Sequence, residues 1–204
     1  WTAGAGSPGA GDSVTISHTR NMNNGHREFG TSSQDSTWSG GNIDLDNDTL
    51  THSGNSILHL TAASLMMGTV SDPKGWTFSN TVGSTFSHDV AGTMTITCGL
   101  NGSDQGGFVN EGAYRFAADT TTLSIARSAW FKNIGTIAND SGGAALIKAT
   151  VAETATYSNG TASVMAALGA GSILTCTPSR QYMGGTYRAL TNAQIRLDPT
   201  QSAG

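Results

Sequence analysis

The residues that could do chemistry are few and spread along the chain. Asp44, Asp46 and Asp48 alternate as the first ligands of a calcium loop would. An EF-hand then needs Gly at its sixth place and a bidentate Glu at its twelfth, and here those places hold Thr49 and Asn55. The same alternation describes the wet face of a strand whose dry face is Ile43 and Leu45, which is the stronger reading; a looser calcium site at the three aspartates is the weak metal candidate. His18, His26, His52, His59 and His88 all lie in the first 88 residues, yet no His-x-His or His-Glu-x-x-His spacing joins them. Asp72, Asp89, Asp104, Asp119 and Asp140 could supply a carboxylate pair for hydrolysis of a glycosidic bond only if the fold brought two of them to one face. No Gly-x-Ser-x-Gly elbow is present, so no catalytic residue and no cofactor are expected, with a β-helix polysaccharide-degrading enzyme as the reading left open.

Three further sets have a chemical and a structural reading. Cys98 and Cys176 each end an apolar strand, as Thr-Ile-Thr-Cys and Ile-Leu-Thr-Cys. They are either buried free thiols or a disulfide closing about 78 residues. Trp38, Trp76 and Trp130 could form a sugar-binding platform, or could be core. Asn47, Asn101, Asn139 and Asn159 head Asn-x-Ser/Thr triplets, no more than the abundance of Ser and Thr gives by chance.

The elements that would position these residues read as strands. Period-two segments recur at Val14–Ile16, Asn42–Asp46, Ser56–Leu60, Met94–Ile96, Leu123–Ile125, Ala145–Ile147 and Ile173–Cys176, and from Gly75 the strand signals come about every 8 to 12 residues. Short helices are expected at Thr61–Met67 and Ala162–Leu168, where Ala, Leu and Met cluster. Strands that bury one face each must share a core. The inward set is expected to be Val14, Ile16, Ile43, Leu45, Ile57, Ile96, Leu123, Ile125, Ile147 and Ile173.

Composition sets the frame. Charged residues make up 12% of the 204, about half the usual share, and Gly at 27 is about twice the usual share. The net charge of −4, with Lys and Arg unclustered, argues against nucleic acid as a partner. No apolar run reaches the roughly 20 residues of a membrane span. A chain that opens on Trp1 without Met is expected to have lost an N-terminal piece.

Trp1, Gly4, Gly6, Pro8, Gly11, Asp12, Val14 and Ile16 occur in the order in which a Trp, a Gly-rich segment, a Pro and Gly-Asp-x-Val-x-Ile recur elsewhere. This opening resembles the start of β-solenoid domains of secreted adhesins, of phage surface and tail proteins, and of the G8 type. The resemblance implies an all-β, single-domain β-solenoid over residues 1–204, with 1–41 as a cap or arm. A β-sandwich or jelly roll is the alternative that the strand count allows. Together with the low charge, the richness in Gly, Ser and Thr and the absence of catalytic signatures, this opening leads to the expectation of a non-enzymatic structural protein on a virion surface or outside the cell, a capsid decoration or a head or tail fibre module. Such a protein would work as a homo-oligomer with other particle-surface proteins. A secreted adhesin or carbohydrate-binding module, with glycan as partner, is the second expectation.

Overall fold

The computed structural model describes residues 14–17, 20–23, 26–30, 34–46, 48–68, 75–98, 106–149, 155–177 and 181–198. They contain no helix, and their 23 strands form three parallel sheets of eight, eight and seven strands. Neighbours within a sheet are third neighbours in sequence, so the chain visits sheet one, sheet two and sheet three and returns one rung further along. This is a three-sided parallel β-helix. The sandwich alternative falls because its sheets would be antiparallel.

On the outside of sheet one, Thr15, Thr37, His59, Ser87, Arg115, Ala138, Ala166 and Arg188 are successive register partners, so the rungs take 22, 22, 28, 28, 23, 28 and 22 residues. Most of that variation sits in the corner between sheets two and three. The link there is two residues between Asp46 and Thr49 and between Arg127 and Trp130, but nine between Met67 and Thr77 and eight between Cys98 and Gly107. A corner can lengthen outward without disturbing the stack, because only the strands must stay in register.

Period-two alternation turns every second side chain inward, and parallel register then stacks like on like. Sheet two stacks Met94, Leu123, Ile147 and Cys176. Sheet one stacks Leu58, Phe86, Tyr114, Ile137 and Met165. In sheet three Phe78, Phe108, Phe131 and Tyr157 form a column of stacked rings, with centroids 4.8, 5.0 and 5.8 Å apart. All of these belong to one continuous core. Each buried side chain of this size contributes roughly 1.5–3 kcal/mol.

Eight of the ten expected core residues lie in that core. Ile57 and Ile173 do not: each is the half-buried first residue of its strand, and the opposite parity puts Leu58, Leu60, Leu174 and Cys176 inside. Both expected helices are strands, Ser64–Met67 and Val164–Ala167. Parallel neighbours on either side override the helical propensity of Ala, Leu and Met there. Within the segment considered as a cap or arm, Thr15–Ile16, Arg20–Asn23, Arg27–Phe29 and Ser36–Trp38 already pair into the three sheets. Residues 1–13, with most of the opening that carries the resemblance, lie outside the described residues.

Candidate functional site

Ionisable side chains meet on the outer face of sheet one, because the strands present His59, Ser87 and Arg115 on consecutive rungs. Asp89 and Asp140 follow their strands at the next corner. The His59 ring lies between two carboxylates: Nδ1 is 2.5 Å from Asp89 Oδ2, and Nε2 is 3.6 Å from Asp35 Oδ2. Ser87 Oγ donates to the other Asp89 oxygen at 2.5 Å. One rung further, Arg115 Nε donates to Asp140 Oδ2 at 2.6 Å. Asp35 is anchored in turn by the Ile57 N–H at 2.8 Å.

The chemistry of this face follows from who bonds whom. A serine nucleophile needs its base within reach, but the Ser87 hydroxyl is turned to a carboxylate. A glycosidase needs open space between two carboxyl groups, and between Asp35 and Asp89 that space holds an imidazole. As arranged, the cluster ties three rungs together along the solenoid axis. A shallow notch lies beside it, lined by Gly83, Thr85, Glu111, Gly112, Gly135 and Thr136. It forms where two-residue corners, Glu111–Gly112 and Ile134–Gly135, follow the four-residue corner 81–84.

A second constellation, inside, escaped the sequence reading. His52, Asn80, Asn110, Asn133 and Asn159 occupy one inward position of sheet three on five successive rungs. Asn80 Nδ2 donates to Asn110 Oδ1 at 2.8 Å, Asn110 Nδ2 to Asn133 Oδ1 at 2.8 Å, and Asn133 Nδ2 to Asn159 Oδ1 at 2.6 Å. The chain ends where Asn159 Nδ2 donates to the Gly184 carbonyl at 2.6 Å. At its head, Asn80 Oδ1 faces His52 Nδ1 at 2.9 Å, so that nitrogen carries the hydrogen and Nε2 meets Ser56 Oγ at 2.9 Å. Burial holds the His52 pKa below its ordinary value, partly offset by the Asn80 bond and by the Asp35 charge. The signal was in the sequence as a recurring tripeptide: Leu50-Thr-His52, Phe78-Ser-Asn80, Phe108-Val-Asn110, Phe131-Lys-Asn133 and Tyr157-Ser-Asn159.

His88 is different. It is fully buried in sheet one between Leu60 and Phe116, with no hydrogen-bond partner among the described residues at either ring nitrogen. Burial pushes its pKa down to about 4, against a small opposing pull from Asp89.

The structure separates most of the expected site residues. Asp44 is half-buried on the outer face of sheet two and Asp48 is buried at the following corner, both with partners of their own, while the Asp46 side chain lies outside the described residues. Among the described residues no three His, Cys, Asp or Glu side chains converge as a metal site. The histidines stand apart: His26 is exposed, His52 heads the ladder, His59 is on the surface, His88 is in the core, and His18 is outside the described residues. Asp89 and Asp140 share the sheet-one face, Asp119 is exposed beside Gly143, and Asp72 and Asp104 are not described.

The disulfide does not form: Cys98 and Cys176 are free and buried. Their strands are three steps apart in sheet two, about 14 Å at the usual strand spacing, well beyond disulfide reach. Nor do the tryptophans make a platform. Trp38 is in the core, its Nε1 donating to Gly40 O at 3.1 Å, and Trp76 is buried against Gly68 and Gly106. Trp130 alone is half-buried, at the outer face of sheet three against Gly107.

A third surface is the last described rung of the solenoid. Tyr187, Leu190 and Leu197 are 36%, 43% and 48% exposed, although Tyr187 and Leu197 continue the inward columns of Met165 and Cys176. The strands Gln181–Met183, Thr186–Ala189 and Gln194–Leu197 are the last of their sheets, each with one edge unpaired among the described residues. Fold and surfaces together define the class, a parallel β-helical solenoid with an amide-threaded core. Comparison with known proteins adds no relative: no protein-family model, no curated protein and no solved structure matches this chain.

Proposed function

We propose that the chain is a non-enzymatic structural module that works by assembly, in a setting such as the surface of a phage virion or another extracellular particle. The exposed apolar side chains Tyr187, Leu190 and Leu197 carry this reading, because such side chains are stabilised when a further surface covers them. Two further features support it. Stacked rungs in one register make a stiff rod, and the charged groups of the sheet-one face are engaged with one another instead of converging on an open pocket. The adhesin or carbohydrate-binding alternative loses two of its three tryptophans to the core.

Electron microscopy of the protein in its native assembly, beside a glycan array and turnover assays on polysaccharides, tests the proposal. The expected result is a rod incorporated into a larger particle, with no saccharide bound or cleaved. Saccharide turnover that falls on His59→Ala or Asp89→Asn would replace the structural reading with an enzymatic one.

A further inference from the structure

The sheet-one cluster brings two acceptors face to face. Asp89 Oδ1 accepts from the Ser87 hydroxyl at 2.5 Å, and Asp89 Oδ2 accepts from His59 Nδ1 at 2.5 Å. An ionised carboxylate can only accept, so Nδ1 carries the hydrogen. The imidazole lone pair is then at Nε2, which faces Asp35 Oδ2 at 3.6 Å. Asp35 is fixed from its other side, where Oδ1 accepts the Ile57 N–H at 2.8 Å, so Oδ2 is the oxygen turned to the ring.

Two electron pairs that face each other need a positive charge between them. A proton on Nε2 would draw the pair to the about 2.7–2.9 Å of a charge-assisted hydrogen bond, and the gap is wider than that. A metal ion holds its ligands further apart. Bonds of about 2.0–2.1 Å to nitrogen and 2.0–2.2 Å to oxygen, meeting at a tetrahedral angle, set the two atoms roughly 3.4 Å from each other. The separation of 3.6 Å is close to that value.

We propose that His59 Nε2 and Asp35 Oδ2 hold a divalent transition-metal ion such as zinc on the outer face of sheet one. The site is independent of the assembly reading. An imidazole in the ligand set favours zinc, copper or nickel over calcium and magnesium, which take oxygen ligands. Asp89 is a positioning residue and not a ligand. A carboxylate on the far N–H of a ligating histidine fixes the tautomer and the ring orientation and raises the basicity of the ligating nitrogen. Asp35 and Asp89 together also supply the two negative charges that a divalent cation balances.

Two protein ligands make an open site, unlike the closed set of four in a structural zinc centre. That agrees with the lack of three converging ligand side chains among the described residues. The His59 and Asp35 side chains are 33% and 51% exposed, so water reaches the ion and fills its remaining positions. The three residues come from successive rungs: Asp35 precedes Ser36–Trp38, His59 lies in Ile57–Leu60, and Asp89 follows Thr85–His88. An ion bound there fastens the rungs along the solenoid axis.

Isothermal titration of the full chain with zinc chloride and with calcium chloride at neutral pH tests the proposal, and nitrogen-15 spectra of the histidine rings follow the site directly. The expected result is a zinc site that His59→Ala removes and that Asp35→Asn and Asp89→Asn each weaken by at least about tenfold. Zinc should shift the His59 Nε2 resonance, and calcium should neither shift it nor compete. Asp89→Asn should also lower the share of the Nδ1–H tautomer in the same spectra, which a merely structural role would not do. His26→Ala, at an exposed histidine outside the cluster, should leave the site unchanged. The Nε2 readout needs no variant, so it decides the matter even where a variant fails to fold. A His59 ring that keeps hydrogens on both nitrogens and ignores millimolar zinc would overturn the proposal in favour of an ion pair. Zinc binding that His59→Ala leaves intact, or that calcium displaces at equal concentration, would overturn it as well.

Discussion

His88 offers the sharpest perturbation. It sits where its neighbours along sheet one are Leu60 and Phe116, is fully buried, and satisfies neither ring nitrogen. Its pKa falls from 6.5 to about 4 through burial. Because the folded value is depressed, the unfolded chain takes up the proton first as pH drops. Stability from this group is therefore complete above about pH 6.5, declines between 6.5 and 4, and levels off below 4. At 1.36 kcal/mol per pH unit the loss amounts to about 3 kcal/mol. His88→Leu removes the titration and continues the column of Leu60. It also removes two unpaired nitrogens, each of which costs about 1–3 kcal/mol when buried. Urea unfolding followed by circular dichroism at a series of pH values from 4 to 8 measures the difference between the two proteins. The variant should match or exceed the wild type at pH 7 and lead it by about 3 kcal/mol more near pH 4. His52, with its own lowered pKa, is present in both proteins and cancels in the difference. Parallel wild-type and variant stabilities over the whole range would show that His88 is not the group that titrates, and the argument from its burial would fail.

Other outcomes follow from the same contacts. Asn110→Ala removes both the acceptor of Asn80 and the donor to Asn133 and to the Thr136 carbonyl; the expected cost is about 3 kcal/mol or more in urea unfolding, since buried amides lose their partners on two rungs. Gly68 has φ of +102°, and a Cβ there would fall 2.0 Å from the Thr97 carbonyl and 2.5 Å from the Trp76 ring. Gly68→Ala should accordingly lower the urea midpoint by the equivalent of at least about 2 kcal/mol. Cys176 should resist thiol reagents in the folded protein, its pKa pushed up to about 12 by burial, and both thiols should react only in denaturant. His59→Ala, at a face that is one-third exposed, should change stability by no more than about 1 kcal/mol.

Much of the fold was legible because a strand with one dry face declares itself by alternation. Val14, Ile16, Leu123 and Ile125 stand where the alternation put them. Parity was harder at the strand ends: Ile57-Leu58-His59-Leu60 offers apolar residues in both phases, and the phase is chosen by Phe86 and Leu60's neighbour His88 one rung away. The expected helices failed for a related reason, since register with flanking strands is a property of the stack and not of the window. The rung repeat was masked by the corner between sheets two and three, where insertions of up to nine residues break any fixed period. The aromatic-x-Asn tripeptide survives those insertions because both of its residues face inward. What no local pattern could supply was the sheet-one cluster, whose members Asp35, His59 and Asp89 come from three different rungs.

Eight rungs stacked in register build the core, the amide ladder and the sheet-one cluster, and one distance tests that stacking most directly. Thr15 and Arg188 lie on the same outer column of sheet one, seven strand steps apart, and Arg115 and Arg188 lie three steps apart. At about 4.8 Å per step the column predicts backbone separations of roughly 34 Å and 14 Å. Spin labels at Thr15→Cys and Arg188→Cys, measured by pulsed dipolar spectroscopy at low protein concentration, should give the longer distance, about 19 Å beyond that of the Arg115→Cys and Arg188→Cys pair. Equal distances for the two pairs, or a separation below about 25 Å for the first, would contradict the stacked solenoid.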